Sequence, residues 1–186
     1  LFYMLFATGA RPLEIARIEV RDYLHADGRV RRESELRAEA TITGKSRPLF
    51  FASSKLDDAL SAYLRVRLES RQALGSTSAF RGLDPVSRLF LTATGSGFQI
   101  TPYGAPGQHR YLCRPILETY RKLFRYADVE GATALSVRHT VVARLYERGA
   151  DEEQVGLVLG ISDRSAVRGL FPRARPTMAR LVDELI

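Results

Sequence analysis

The stretch "LSVRHTVVARLYERGADEEQVGLVLGISD", residues 135–163, decides the fold of the C-terminal half of the chain. Apolar residues recur every three or four positions in its first half, which predicts an amphipathic helix closed by Gly149. Asp151 and Gln154 then have the spacing of a capping box, so a second helix is expected over 152–159. The order of helix, glycine, cap and helix therefore predicts two short helices in succession.

Arg138 and His139 stand side by side near the start of the first of these helices. A salt-bridged helix start is the plain structural explanation of such a pair. The next acidic residue along the helix, Glu147, lies nine residues on, which is about 180° around the helix axis. Arg138 is therefore a candidate for binding an anion, whereas His139 is expected to pack or to support Arg138.

The rest of the chain mixes helices with a small sheet. Pro12 suits the first turn of a helix that restarts after Gly9, following an apolar helix end at 1–8. Polar and apolar residues alternate in "ELRAEATI" (35–42), which predicts a strand. A hairpin turn is expected at "TGKS" (43–46), with a returning strand at "RPLFF" (47–51). Further helices are expected over about 55–71 and 109–127 and in "SDRSAVRGLF" (162–171). An extended segment is expected at 89–92, between loops at 72–88 and 101–110. The predicted fold class is α+β, predominantly helical, with a small antiparallel sheet, in a single domain over 1–186.

The composition is that of a basic globular protein. A net charge of +7 and an isoelectric point near 9.9 favour a polyanionic partner, although a GC-rich genome produces the same excess of arginine. The single Cys113 excludes a disulfide framework within the chain and suits a reducing cytosol. The apolar run at 1–8 is too short to span a bilayer, so no membrane association is expected.

Several common enzyme classes have no signature in this sequence. His25, His109 and His139 are far apart, and no cluster of His, Cys, Asp or Glu has the spacing of metal ligands. A Walker loop, a dinucleotide-binding glycine pattern and a Gly-x-Ser-x-Gly elbow are all absent from the sequence. We therefore expect neither a metal ion nor an organic cofactor.

Three segments, in this order, resemble the tyrosine recombinase (phage integrase) family. "ATGARPLEIARI" (7–18) is similar to the family's first arginine box, in which Thr-Gly-x-Arg-x-x-Glu opens a helix. "TITGKSRPLFF" (41–51) is similar to its β-hairpin, and residues 135–163 are similar to its second arginine box. The resemblance implies the family's catalytic-domain fold. It also implies that the chain is a fragment of a longer protein, without the family's N-terminal core-binding domain.

The resemblance implies metal-independent breaking and rejoining of double-stranded DNA, in which a tyrosine hydroxyl attacks a phosphate and forms a 3′-phosphotyrosine. By position, Arg11 and Arg138 would hold the oxygens of that phosphate, since guanidinium groups bind them bidentately. Lys45 would protonate the leaving 5′ oxygen. Glu14 and His139 would support the arginines, although an Arg11–Glu14 ion pair is the simpler explanation of Arg11 taken alone.

Four positions depart from the family pattern. Leu135 stands where His, Lys or Tyr is typical, and Ile161 stands where His or Trp is typical. The nucleophile is expected at Leu170, beside Phe171, and no tyrosine follows Tyr146. Neither Leu170 nor Phe171 carries a hydroxyl that could attack phosphorus. Natural divergence accounts for these changes together, with an engineered Tyr-to-Phe change at 171 and a tyrosine supplied by another polypeptide as alternatives.

Two functions follow from the resemblance. One is a site-specific recombinase or integrase of a mobile element, acting in DNA integration and recombination with a nonstandard or borrowed nucleophile. The other is a DNA-binding accessory or regulatory relative that cannot cut DNA. A third reading, an unrelated α+β enzyme or RNA-binding protein, requires that the motifs match by chance.

Four arginines are expected to contact the DNA backbone. Three of them share one face of the helix predicted at 109–127, and the fourth follows the hairpin turn: Arg114, Arg121, Arg125 and Arg47. The tail, 172–186, is predicted to form a helix, and in the family such a tail docks on a neighbouring protomer. We therefore expect self-association on DNA, in the cytoplasm at the nucleoid.

Overall fold

The computed structural model describes residues 1–105, 110–173 and 182. The α-helices in these ranges are α1 (Phe2–Thr8), α2 (Pro12–Arg17), α3 (Val20–Tyr23), α4 (Ser54–Glu69), α5 (Arg114–Tyr126), α6 (Ala134–Glu147), α7 (Glu152–Leu159) and α8 (Arg164–Leu170). The strands are β1 (Glu33–Leu36), β2 (Arg47–Phe50), β3 (Thr101–Tyr103) and β4 (Arg110–Leu112). The predicted α+β class, mainly helical with small antiparallel pairings, is confirmed.

The first hairpin follows the prediction only in part. β1 pairs antiparallel with β2, so the returning strand is confirmed. The predicted strand over 35–42 is wrong beyond Leu36, because the Arg37 guanidinium binds the buried Asp22 carboxylate at 3.0 Å. The chain then forms a turn of 3₁₀ helix at Ala38–Ala40 instead of continuing the strand.

The second hairpin was missed by the sequence analysis. β3 and β4 pair antiparallel within a segment predicted to be a loop and the start of a helix. The helix α5 begins only at Arg114, where Pro115 occupies the first turn and its missing N–H costs no hydrogen bond. The residues before Arg114 are consequently free to pair as a strand.

The boundaries of α6 and α7 agree with the prediction. Asp151 caps α7 by accepting a hydrogen bond from the Gln154 backbone N–H at 2.8 Å. Gly160 ends α7 in the left-handed conformation, with φ of 69°, which glycine adopts without a steric penalty. The start of α6 is capped by Thr133, which accepts from the Ser136 N–H at 3.1 Å.

The described residues bury two apolar clusters. The larger cluster is built from α1 to α5, the first hairpin (β1 and β2) and the start of α6, and includes Met4, Ile15, Leu60 and Ile116. The smaller cluster lies among α6, α7 and α8, and contains Val142, Tyr146, Val155, Leu159, Val167 and Phe171. The turn between α1 and α2 lies where the two clusters meet, because a Cβ at Gly9 would lie 3.0 Å from Leu159 of the smaller cluster and 3.5 Å from Val141 of the larger one.

None of the helices within the described ranges is long and apolar enough to cross a membrane. The predicted tail helix at 172–186 falls largely outside the described residues, and so does His109.

Candidate functional site

Arg11 and Arg138 line one cavity of about 300 Å³. Arg11 is the N-cap of α2 and has an extended backbone, which Pro12 favours in the residue before it. Arg138 lies in the second turn of α6. The fold therefore brings together two guanidinium groups that are 127 positions apart in the sequence (138 minus 11).

Arg138 is held by the carboxyl ends of two helices. Its guanidinium donates hydrogen bonds to the carbonyl of Gly9, after α1, and to the carbonyl of Leu159, the last residue of α7, at 3.3 Å. Such carbonyls have no partner within their helix and carry the negative end of the helix dipole. Burial lowers the pKa of Arg138 to about 10, with a further contribution from the charge of Arg11. Arg138 therefore stays protonated at neutral pH.

Glu14 does not form the ion pair with the Arg11 guanidinium that the sequence suggested. Its Oε2 atom accepts a hydrogen bond from the Arg11 backbone N–H at 2.8 Å and pairs with Arg47 Nη2 at 3.0 Å. Among the described residues, the guanidinium of Arg11 is in no ion pair with a carboxylate. The positive charge of Arg11 is thus left for a ligand.

Arg47, which the sequence analysis predicted to contact DNA, is buried. Arg47 is only 6% exposed, and its Nη1 atom donates to the Val158 carbonyl at 2.6 Å while Nη2 pairs with Glu14. Residues two apart on a strand share a face, so Arg47 points inward with the buried Leu49. Arg47 is therefore a buried bridge between α2 and α7, and not a surface contact.

Lys45 lies in a second cavity of about 610 Å³, beside β2, α7 and the chain that follows α7. The connection between β1 and β2 contributes Ile42 to the cavity of the arginines and Thr43 to the cavity of Lys45. The two cavities therefore adjoin across this connection. Lys45 is exposed to solvent there and does not share the cavity of the two arginines.

The four positions that depart from the family pattern fall in different surroundings. Leu135 is 61% exposed and lines the arginine cavity, whereas Ile161 is half-buried in the cavity of Lys45. Leu170, the last residue of α8, is 57% exposed. Phe171 is buried in the smaller cluster, and its ring centroid lies 4.7 Å from that of His139. His139 therefore packs on an aromatic ring.

The amphipathic character of α5 places its arginines on the surface. Ile116, Tyr120 and Phe124 are buried on one side of the helix. The predicted DNA contacts on the other side, Arg114, Arg121 and Arg125, are all exposed. This face is available to a polyanion.

Tyr111 is a member of the site that the sequence analysis did not identify. It lies in β4, lines the arginine cavity, and is 47% exposed. The Arg17 guanidinium carbon lies 4.7 Å from the centroid of its ring. Tyr111 could have been identified as a site residue only if residues 110–112 had been predicted as a strand. In the helix that was predicted over 109–127, its side chain would point elsewhere. In the described part of the chain, no three His, Cys, Asp or Glu side chains group as metal ligands would.

Comparison with known proteins identifies solved structures with a similar fold. No protein-family model and no curated protein sequence matches the chain. Among solved structures, the XerA recombinase superimposes with a TM-score of 0.64 over 97% of this chain, at 17% identity. The Tn1549 transposon integrase superimposes with a TM-score of 0.52 over 98% of the chain at 16% identity, both with circular intermediate DNA and with transposon right end DNA.

The chain covers 54% of the XerA chain and 56% and 57% of the two integrase chains, which is about half of their length. At these identities the likeness concerns the fold. The described residues have the tyrosine recombinase catalytic-domain fold.

Proposed function

We propose that this chain is a DNA-binding, recombinase-like domain that holds one backbone phosphate of double-stranded DNA between Arg11 and Arg138. The observation that carries the proposal is the shared cavity of these two guanidinium groups. Neither guanidinium is neutralised by a carboxylate among the described residues. Two guanidinium groups on one cavity without a carboxylate partner favour an anion there, and Arg138 is buried while Arg11 is half-buried.

The hydrogen-bonding capacity of Arg138 supports this role. A guanidinium group has five N–H donors, and Arg138 uses two of its nitrogens on the carbonyls of Gly9 and Leu159. The remaining donors are available to phosphate oxygens, which arginine binds in a fixed planar geometry. The low dielectric around a buried guanidinium strengthens such a bond.

The exposed arginines of α5 extend the proposed contact. Arg114, Arg121 and Arg125 would bind further phosphates, each by releasing a counterion and without reading the sequence. The Tn1549 integrase structures contain DNA, which agrees with this partner. We place the protein in DNA integration or recombination of a mobile element at the nucleoid, as a single catalytic-type domain with self-association through residues 172–186.

A second candidate function is that of a DNA-binding accessory or regulatory protein that does not cut DNA. The side chains of Leu170 and Phe171 favour it, since neither can attack phosphorus. Leu135 and Ile161 favour it as well, because hydrocarbon can neither donate a hydrogen bond to a phosphate nor transfer a proton. Both candidates share the phosphate contact and differ in the chemistry that follows.

The salt dependence of DNA binding tests the shared step. Binding of a fluorescent 30-base-pair duplex is measured by anisotropy across a series of KCl concentrations. We expect Arg11→Ala and Arg138→Ala each to lower the slope of log K against log [KCl] by about one. Arg65→Ala, at an exposed position on α4, removes the same charge and should leave the slope almost unchanged.

Slopes for both site variants that equal the slope of the Arg65→Ala control would overturn the proposal. Arg138→Lys and circular dichroism of each variant separate the loss of a charge from the loss of the fold.

A further inference from the structure

Tyr111 is positioned on the arginine cavity by the register of the second hairpin. Tyr111 is opposite Pro102, and Tyr103 is opposite Arg110. Cross-strand partners share a face and neighbours along a strand alternate, so Tyr111 and Tyr103 lie on opposite faces of the hairpin. Tyr111 lines the cavity with Arg11 and Arg138, and Tyr103 does not.

The orientation of Tyr111 is fixed through Arg17. The Arg17 guanidinium lies over the Tyr111 ring and donates to the carbonyls of Glu39 at 3.2 Å and Thr41 at 3.1 Å. A cation over the ring face restrains the ring without engaging the hydroxyl. The Tyr111 side chain is about half exposed and lines the cavity.

Tyr111 is also the sole hydroxyl-bearing side chain on this cavity within the described residues. The other nucleophilic group, the Cys113 thiol, is 1% exposed, and burial raises its pKa so that it stays protonated at neutral pH. A phosphate held by the two arginines would therefore meet a phenol and no other accessible nucleophile.

We propose that Tyr111 is the nucleophile of this chain, replacing the hydroxyl that Leu170 and Phe171 lack; this inference rests on the proposed function. The Tyr111 Oη atom attacks phosphorus and loses its proton to solvent. A phosphorus–oxygen bond to Tyr111 forms while the bond to the 5′ oxygen breaks. The 5′ oxygen takes the electron pair and a proton from Lys45, which leaves a 3′-phosphotyrosine and a free 5′ hydroxyl.

In this step the proton donor, Lys45, comes from the cavity next to that of the arginines. In a phosphoryl transfer the attacking and leaving oxygens lie roughly in line through phosphorus. Tyr111 lines the arginine cavity, and Lys45 lines the neighbouring cavity, to which the same β1–β2 connection contributes Thr43. Arg11 and Arg138 would stabilise the charge on the equatorial oxygens in between.

A trapped covalent adduct tests the inference. The whole chain is incubated with duplexes of randomised sequence that carry a 5′-bridging phosphorothiolate, whose sulfur leaves without needing a proton. We expect a protein–DNA adduct on a denaturing gel, with Tyr111 identified by mass spectrometry of the tryptic peptide. Tyr111→Phe should reduce the adduct to background, whereas Tyr103→Phe, on the other face of the same hairpin, should leave its yield unchanged.

No adduct, an adduct on another residue, or an adduct that persists in Tyr111→Phe would overturn the inference. Phenylalanine preserves the ring beneath Arg17, so both variants should bind the duplex with the wild-type salt slope. If Arg11-dependent binding persists while Tyr111 forms no adduct, the nucleophile assignment alone fails. If Arg11-dependent binding is absent, the proposed function fails with it.

Discussion

The arginine cavity and the end of α8 differ in what they bury. Around the cavity the fold buries charge: Glu14 is 2% exposed, Arg138 5% and Arg47 6%. At the end of α8 it buries hydrocarbon, with Val167 and Phe171 closing a small apolar cluster. Desolvated charges are costly unless they are partnered, and each charge here has a carboxylate or carbonyl partner. The two regions therefore differ in chemistry: the cavity is lined by guanidinium groups, whereas the end of α8 contributes only hydrocarbon.

Removal of Glu14 should produce the largest loss of stability. Glu14→Ala leaves Arg47 buried and unpaired close to Arg138, and breaking a buried pair costs about 3–5 kcal/mol of the free energy of unfolding. Urea denaturation measures this loss. The matched control is Glu153→Ala, whose partner Arg164 is also mostly exposed, so its stability should change little. Equal losses in the two variants would mean that the buried ion pair contributes no more to the free energy of unfolding than the exposed pair does.

Truncation of the aromatic ring at the end of α8 should have the next largest effect. Phe171→Ala removes a buried ring that packs on His139 and should cost about 3 kcal/mol, at the lower end of the range for such changes. Leu170→Ala, one residue earlier and 57% exposed, should stay within about 0.5 kcal/mol. Thermal unfolding of both variants checks the pair, and a costly Leu170 change would contradict the burial pattern described for α8.

Two glycines with the same backbone angle give the smallest of the three effects. Gly44 and Gly160 both have φ of 69°, and a side chain at either position costs about 1 kcal/mol. A Cβ at Gly44 meets nothing within 4 Å, whereas a Cβ at Gly160 lies 2.6 Å from Arg47 Cδ. Gly160→Ala should therefore lose roughly 1 kcal/mol more than Gly44→Ala in urea unfolding. Identical losses would show that Arg47 moves aside freely.

Local sequence signals predicted the helices of the C-terminal half. The cap at Asp151 and the left-handed end at Gly160 depend on neighbours within four residues, and both are found as predicted. The first arginine box likewise predicted that Pro12 begins a helix. Arg11 and Arg138 were paired only through the family resemblance, since no local rule connects residues so far apart.

Interactions between distant residues account for the errors. An ion pair with Arg11, three residues earlier, was the alternative explanation for Glu14, but Arg47, 33 residues later, takes its carboxylate. The alternation of β2 is the one signal that could have shown Arg47 to be buried with Leu49. Tyr111 was missed because β4 forms only by pairing with β3, and no periodicity in the sequence predicts that pairing.

The most direct test of the account is a double-mutant cycle on DNA binding between Arg11 and Arg138. If both guanidinium groups hold one phosphate, each alanine change alone should weaken duplex binding about tenfold, as the loss of a charged hydrogen bond does. The double variant should then lose much less than the product of the two, about 30-fold and not about 100-fold, because the second change finds the contact already broken. Losses that multiply fully would place the two arginines on separate phosphates and contradict a single shared site.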